Sequence, residues 1–157
     1  RAIPIGEKDN CGMMFEKLSY LGRDLLLETI DKLIEGQIVP IKQDVSKVTF
    51  AYNVTKEEER LDFTKTAQEV YNHIRAYYPS PIAYTIFNGE ILKIYESRVL
   101  DDTHNKEIGT FFLKDKTRIC VACNNHTVLE LLVVQPSGKK VMKAKDFANG
   151  GFRKYLK

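Results

Sequence analysis

The sequence predicts a mixed α/β chain: a helical segment, then a small antiparallel β-barrel of the OB type with one capping helix. Three observations predict it. Met14, Leu18, Leu21, Leu25, Ile30 and Leu33 recur at three- to five-residue steps, which puts an apolar stripe along one side of a helix. Beyond residue 82 the apolar period drops to two, the spacing of strands. The strand-like runs there are short and joined by brief polar turns, as in small barrels. At 157 residues, 43% hydrophobic and 29% charged, the chain has material for a packed core.

In chain order, residues 1–5 alternate weakly and read as a strand remnant stopped by Gly6. Asp9 or Asn10 is placed to cap the helix that follows, and Gly36 to end it, because glycine accepts the left-handed conformation of a C-terminal cap. Gly22 interrupts the stripe at a cost of about 1 kcal/mol relative to Ala, which predicts close packing at that point. A helix with such a stripe needs a sheet to cover it, and no strand pattern precedes it to supply one. The chain also opens on Arg1 rather than Met, so 1–36 is expected to be the tail of a domain that begins upstream.

Residues 37–63 read as a linker, with an extended 39–41, a turn-rich 43–46 and a charged, solvated run at 55–60. Residues 64–157 then form the second domain. Thr66 and Glu69 have the spacing of a capping box. Val70, Tyr71, Ile74 and Tyr78 give the helix an apolar face, and Pro79 and Pro81 stop it. Strands at 83–87 and 91–99 flank Asn88-Gly89, the strongest short hairpin signal. A second pair, 109–113 and 117–123, flanks Lys114-Asp115-Lys116. A fifth strand, 127–134, follows Asn124-Asn125-His126 and is broken by Pro136-Ser137-Gly138. Residues 144–149 add a short helix.

Charge is unevenly placed. The net charge is only +3, yet residues 139–157 hold seven Lys/Arg against the single acid Asp146. Lys139, Lys140, Lys143, Lys145, Arg153 and Lys154 thus form a positive rim on the barrel, backed by Phe147, Phe152 and Tyr155. Its natural ligand is a polyanion, and nucleic-acid phosphates are the first candidate.

Catalytic signals are weak. Cys120 and Cys123 have C-x-x-C spacing with His126 nearby. On a strand, however, residues three apart face opposite ways, and structural zinc needs four ligands. They read as core cysteines, and so does Cys11. With three cysteines in all, a reducing, cytoplasmic setting is expected. His73 is expected to pack and His104 to sit in an exposed polar turn. No P-loop, nucleophile triad, paired-carboxylate cleft or dinucleotide glycine pattern is present. No catalytic or metal-binding residue is therefore assigned. No apolar run approaches the roughly 20 residues of a membrane span.

The segment 129–142, Leu-Glu-Leu-Leu-Val-Val-Gln-Pro-Ser-Gly-Lys-Lys-Val-Met, closely resembles the C-terminal signature of the methionyl-tRNA formyltransferase family. Residues 74–81 resemble its Ile-Arg-Ala-x-x-Pro-x-Pro segment, and 56–63 resemble its linker. Residues 15–36, with Pro40, Gln43-Asp44 and Thr49-Phe50-Ala51, are similar to the end of its N-terminal, Rossmann-like domain. The resemblance runs over essentially the whole chain. It implies transfer of a formyl group from 10-formyltetrahydrofolate, as co-substrate, to the methionyl amino group of initiator tRNA. The family's catalytic Asn, His and Asp would lie upstream, so this fragment would supply tRNA binding and no chemistry.

By position, the resemblance makes Lys139, Lys140, Lys143 and Arg153 phosphate contacts and puts Lys56 and Arg75 near the linker path. The chain departs from the pattern at Ser80, where the family often has Trp, and it has no Trp at all. The implied partner is initiator tRNA, with dimerisation through the uncovered helix a second expectation. Two alternatives stand beside this reading. One is a different formyltransferase-superfamily enzyme, of the formyltetrahydrofolate hydrolase or sugar formyltransferase type. The other is a stand-alone OB module for single strands.

Overall fold

The computed structural model describes residues 1–150. Two compact units divide the chain, Arg1–Val54 and Thr55–Lys157.

The first unit is built on α1 (Cys11–Ile34), 24 residues long. Asn10 caps it, its side-chain oxygen accepting from the Met13 N–H at 2.9 Å. At the other end Gly36, with φ +70°, lets the Gln37 N–H reach the Lys32 carbonyl and its own N–H reach Leu33. That pair of bonds closes a helix through a left-handed glycine. Of the predicted stripe, Met14, Leu21 and Leu25 are half-buried, whereas Leu18, Ile30 and Leu33 are exposed. No residue of 1–54 is fully buried. Nothing lies within 4 Å of the position a Cβ on Gly22 would take, so the expected close contact is not made within the described residues. Residues 1–5 form no strand. Asp44 caps a short 3-10 turn, Val45–Lys47, through the Ser46 N–H.

The second unit contains the core. Its helix α2 (Ala67–Ala76) starts with the predicted capping box, in which the Thr66 side chain and the Glu69 carboxylate exchange bonds with each other's backbone. Its buried side, Ala67, Val70 and Ile74, lies on the sheet. The strands are β1 (Tyr84–Phe87), β2 (Glu90–Thr103), β3 (Phe111–Lys114), β4 (Arg118–Ala122), β5 (Thr127–Pro136) and β6 (Met142–Lys143), followed by α3 (Ala144–Gly150). All pairings between them are antiparallel, in the order β1-β2-β5-β4-β3, with β6 beside β5.

Each predicted turn has the backbone its residues favour. Asn88 and Gly89 both have positive φ, as do Asp115 and Lys116, and Asn125 and His126. Ile82, just before β1, has φ +81°, which a β-branched residue adopts only under constraint; its side chain is 5% exposed. Leu92, Ile94, Ile119, Val121, Leu129, Leu131 and Val134 fill the interior at 2% exposure or less. Each contributes about 1.5–3 kcal/mol by leaving water.

Of the expected OB-type barrel, the structure has the small antiparallel sheet with its helices, and the sheet is not closed. Among the described residues no ladder joins β1 to β3. Near Tyr84 the outer edge of β1 is already used: its N–H bonds the Glu59 carbonyl at 3.0 Å, and its carbonyl accepts the Leu61 N–H at 2.8 Å. The sheet nevertheless curls until side chains of its two ends touch, with the rings of Phe87 and Phe111 5.0 Å apart between centroids. Phe63 adds a T-shaped contact to Phe111, and Phe147 of α3 another to Phe87. No described helix is long and apolar enough to cross a membrane.

Candidate functional site

The basic rim follows from how β5 ends. Pro136 finishes the strand, and Gly138 at φ +67° turns the chain, closed by the Lys139 N–H on the Pro136 carbonyl at 3.0 Å. The Gln135 side-chain amide donates to the Lys139 carbonyl at 3.0 Å and ties the turn to the end of β5. Lys139 and Lys140 are exposed on that turn. Lys143 pairs with Val133 across the ladder and is exposed, while its neighbour Met142 packs on the core. Lys145 is exposed on the first turn of α3, next to Ala144, which is buried. Among the described residues, none of these four lysines has an ion-pair partner. Four unneutralised cations thus lie within seven residues of ordered backbone. Arg153 and Lys154 lie outside the described residues.

Lys56 and Arg75 belong to other elements. Lys56 is paired with Glu59, itself only 8% exposed, and its ammonium lies 4.8 Å from the centre of the Tyr84 ring. Its charge is therefore already balanced. Arg75, on α2, donates to the Asn72 side chain at 3.1 Å and lies 5.6 Å from the Tyr71 ring.

At the foot of the rim lies a groove of about 480 Å³. It is bounded by the β1–β2 turn, the end of β5 and α3. Phe87, Ile91, Met142 and Phe147 supply apolar lining, and Lys139, Glu90 and Asp146 supply charge.

A second charged cluster escaped the sequence reading. Glu130 stands mid-strand in β5, opposite Arg98 of β2 on one side and Cys120 of β4 on the other. It is 4% exposed. Arg118 grips both of its oxygens, at 2.8 and 2.7 Å, and Arg98 donates to one of them at 3.0 and 2.5 Å. The Arg118 bonds hold the Glu130 carboxyl below its ordinary range despite burial, with Arg98 adding to the effect. An acid inside an apolar strand run was the signal, since buried carboxylates require partners.

His73, His104 and the two strand cysteines pack into the second unit. His104 is buried rather than exposed, correcting the expectation: its Nε2 is 2.7 Å from the Cys123 carbonyl, and its Nδ1 accepts from the Lys106 N–H at 3.1 Å. That pattern puts the ring proton on Nε2. The His126 Nδ1 bonds the His104 carbonyl at 2.8 Å. His73 stacks on Tyr77 with centroids 4.6 Å apart, and burial holds its imidazole below the usual range. Burial pushes the thiols up, to about 11 at Cys120 and about 12 at Cys123, so neither is a thiolate at neutral pH. Cys11 is exposed, contrary to the core position expected of it.

Comparison with known proteins agrees with this architecture. Residues 53–151 match the family described as the formyl transferase C-terminal domain. The chain is 47% identical over 154 residues to methionyl-tRNA formyltransferase of Lactococcus lactis, covering 95% of this chain and 47% of that one. It is 46% identical over 155 residues to the enzyme of Lactobacillus acidophilus, covering 99% and 49%. The chain thus spans about half the length of the curated relatives it matches. Among solved structures, a HypX variant from Aquifex aeolicus superposes with a TM-score of 0.69 at 14% identity, over 99% of this chain and 28% of that one. An N-formyltransferase from Helicobacter canadensis, bound to folinic acid and dTDP-3-aminofucose, gives 0.57 at 21% identity, over 85% and 47%. Those two likenesses are of fold. With the match to residues 53–151 covering well over half of the sequence, the chain belongs to the formyl transferase C-terminal domain family.

Proposed function

We propose that this chain is the C-terminal half of a methionyl-tRNA formyltransferase, and that its second unit is an OB-like module holding the tRNA. The observation that carries the reading is the run of exposed lysines at 139, 140, 143 and 145, without ion-pair partners among the described residues, along the turn, β6 and the start of α3. The names of its relatives support the chemistry, formyl transfer to methionyl-tRNA, and we place that step in translation initiation in the cytoplasm. In the whole enzyme 10-formyltetrahydrofolate is the formyl donor. It meets the methionyl amino group in the half that precedes this chain. Residues 1–36 then form the end of that catalytic domain and 37–63 the linker. The exposed apolar side of α1, including Phe15, Leu26 and Ile34 at 59–80% exposure, is what the preceding half covers. In its absence the same side is available to a second copy, and a mass that rises with concentration in sedimentation would report it.

Lysine contacts to phosphates act through counterion release. Replacing Lys139, Lys140, Lys143 and Lys145 together by Ala is expected to weaken initiator-tRNA binding and lower the salt slope of log K by about 3. An unchanged slope would remove this surface from the interface. The 157-residue chain alone is expected to transfer no formyl group, and measurable turnover would overturn the division of labour.

A further inference from the structure

The groove below the lysine turn has a composition that phosphate binding alone does not explain. Phosphates need cations, yet among the described residues its lining is apolar at Phe87, Ile91, Met142 and Phe147 and acidic at Glu90 and Asp146, with Lys139 as the one cation. Ile91 is 40% exposed there. Phe87 and Phe147 meet edge to face, with centroids 6.2 Å apart, and stiffen the wall. A site with an aromatic wall, acceptor-only carboxylates and cations outside suits a flat, largely apolar group that carries N–H donors and is attached to a phosphate. Resting on the reading that this rim binds RNA, we infer that the groove receives one unstacked nucleobase of the bound RNA. Its exocyclic amino group faces Glu90 or Asp146, and its flanking phosphates lie on Lys139 and Lys140.

The chemistry commits the site to particular bases. Cytosine, adenine and guanine present an exocyclic amino group, which an acceptor-only carboxylate takes up, while uracil has none and presents carbonyl oxygens that a carboxylate repels. Stacking on an apolar wall adds binding that does not depend on salt. The volume of about 480 Å³ lies within the usual range for small-ligand pockets, roughly 300–1,000 Å³.

The test is a titration of the 157-residue chain, labelled at isoleucine and methionine methyls and at backbone amides, with cytidine, adenosine and uridine 5′-monophosphates and with ribose 5-phosphate. Cytidine and adenosine monophosphates should shift the Ile91 and Met142 methyls at millimolar concentration, and uridine monophosphate should bind about tenfold more weakly. Ribose 5-phosphate should move only the amides of the lysine turn. Glu90→Gln, at an exposed strand end, should shrink the cytidine-over-uridine preference. Ile91→Ala should weaken RNA binding about threefold with an unchanged salt slope. Silent Ile91 and Met142 methyls with every nucleotide, or equal responses to cytidine monophosphate and ribose 5-phosphate, would overturn the inference. A Glu90→Gln variant that tightens all nucleotides alike would do the same, because the acid would then be acting by net charge. If the four-lysine variant flattens the salt slope while the methyls stay silent, the RNA surface stands and only the groove falls.

Discussion

Glu130 shows what a single residue decides in this protein. A carboxylate at 4% exposure is costly unless its lone pairs are filled, and four N–H contacts from Arg118 and Arg98 fill them. Removing it would leave two guanidinium groups side by side without their counter-charge. Glu130→Ala is therefore expected to cost about 2–3 kcal/mol in urea unfolding, less than a fully buried pair, because the Arg98 side chain is 56% exposed. Arg98→Ala should cost less than half as much. The same carboxyl sets an acid limit. Its folded pKa is depressed, so its stabilisation is complete above the ordinary glutamate value of 4.5 and fades as pH falls through the lower folded value. In Glu130→Gln the drop in stability below pH 4.5 should be shallower than in the parent chain.

At the scale of elements, order comes from caps and turns. Thr66 tethers α2 at its start, and the helix buries Ala67, Val70 and Ile74 in the core with Tyr71 packed against it. Thr66→Ala should lower stability by about 1 kcal/mol, with no change in the slope of the denaturant curve. The β1–β2 turn depends on φ +79° at Gly89, where a Cβ would meet no neighbour within 4 Å. Gly89→Ala therefore tests backbone conformation alone, and a loss of about 1 kcal/mol is expected. Since that turn also borders the groove, through Asn88 and Glu90, the substitution should disturb nucleotide shifts at Ile91 more than the salt slope of RNA binding.

Across the whole molecule, stability is distributed unequally. Every fully buried residue described lies in the second unit, whereas α1 buries none. Burial, more than propensity, stabilises helices in proteins. Amides in α1 should then exchange with solvent at least about a hundredfold faster than those of β5. Joining the chain to the proposed preceding half should slow α1 and leave β5 unchanged. Equal protection of α1 and β5 in the 157-residue chain would contradict the proposed domain division.

Local chemistry made much of this readable in the sequence. Asn10, Thr66 with Glu69, Gly36 and Asn88-Gly89 act through their own backbones and near neighbours, so helix ends and turns could be placed from residue type alone. The lysines at 139–145 were equally visible, because a charge run after a strand break needs no long-range partner to be recognised. Tertiary structure alone decided which groups meet across the ladder. It brought Arg98, Glu130 and Arg118 together from three strands, and buried His104 against the Cys123 carbonyl. It also left the sheet open, where strand count had suggested closure, because residues 59–61 occupy the edge of β1 at Tyr84. Caps and turns are settled within a few residues, whereas register and edge pairing depend on groups tens of residues apart, so only the folded chain fixes them.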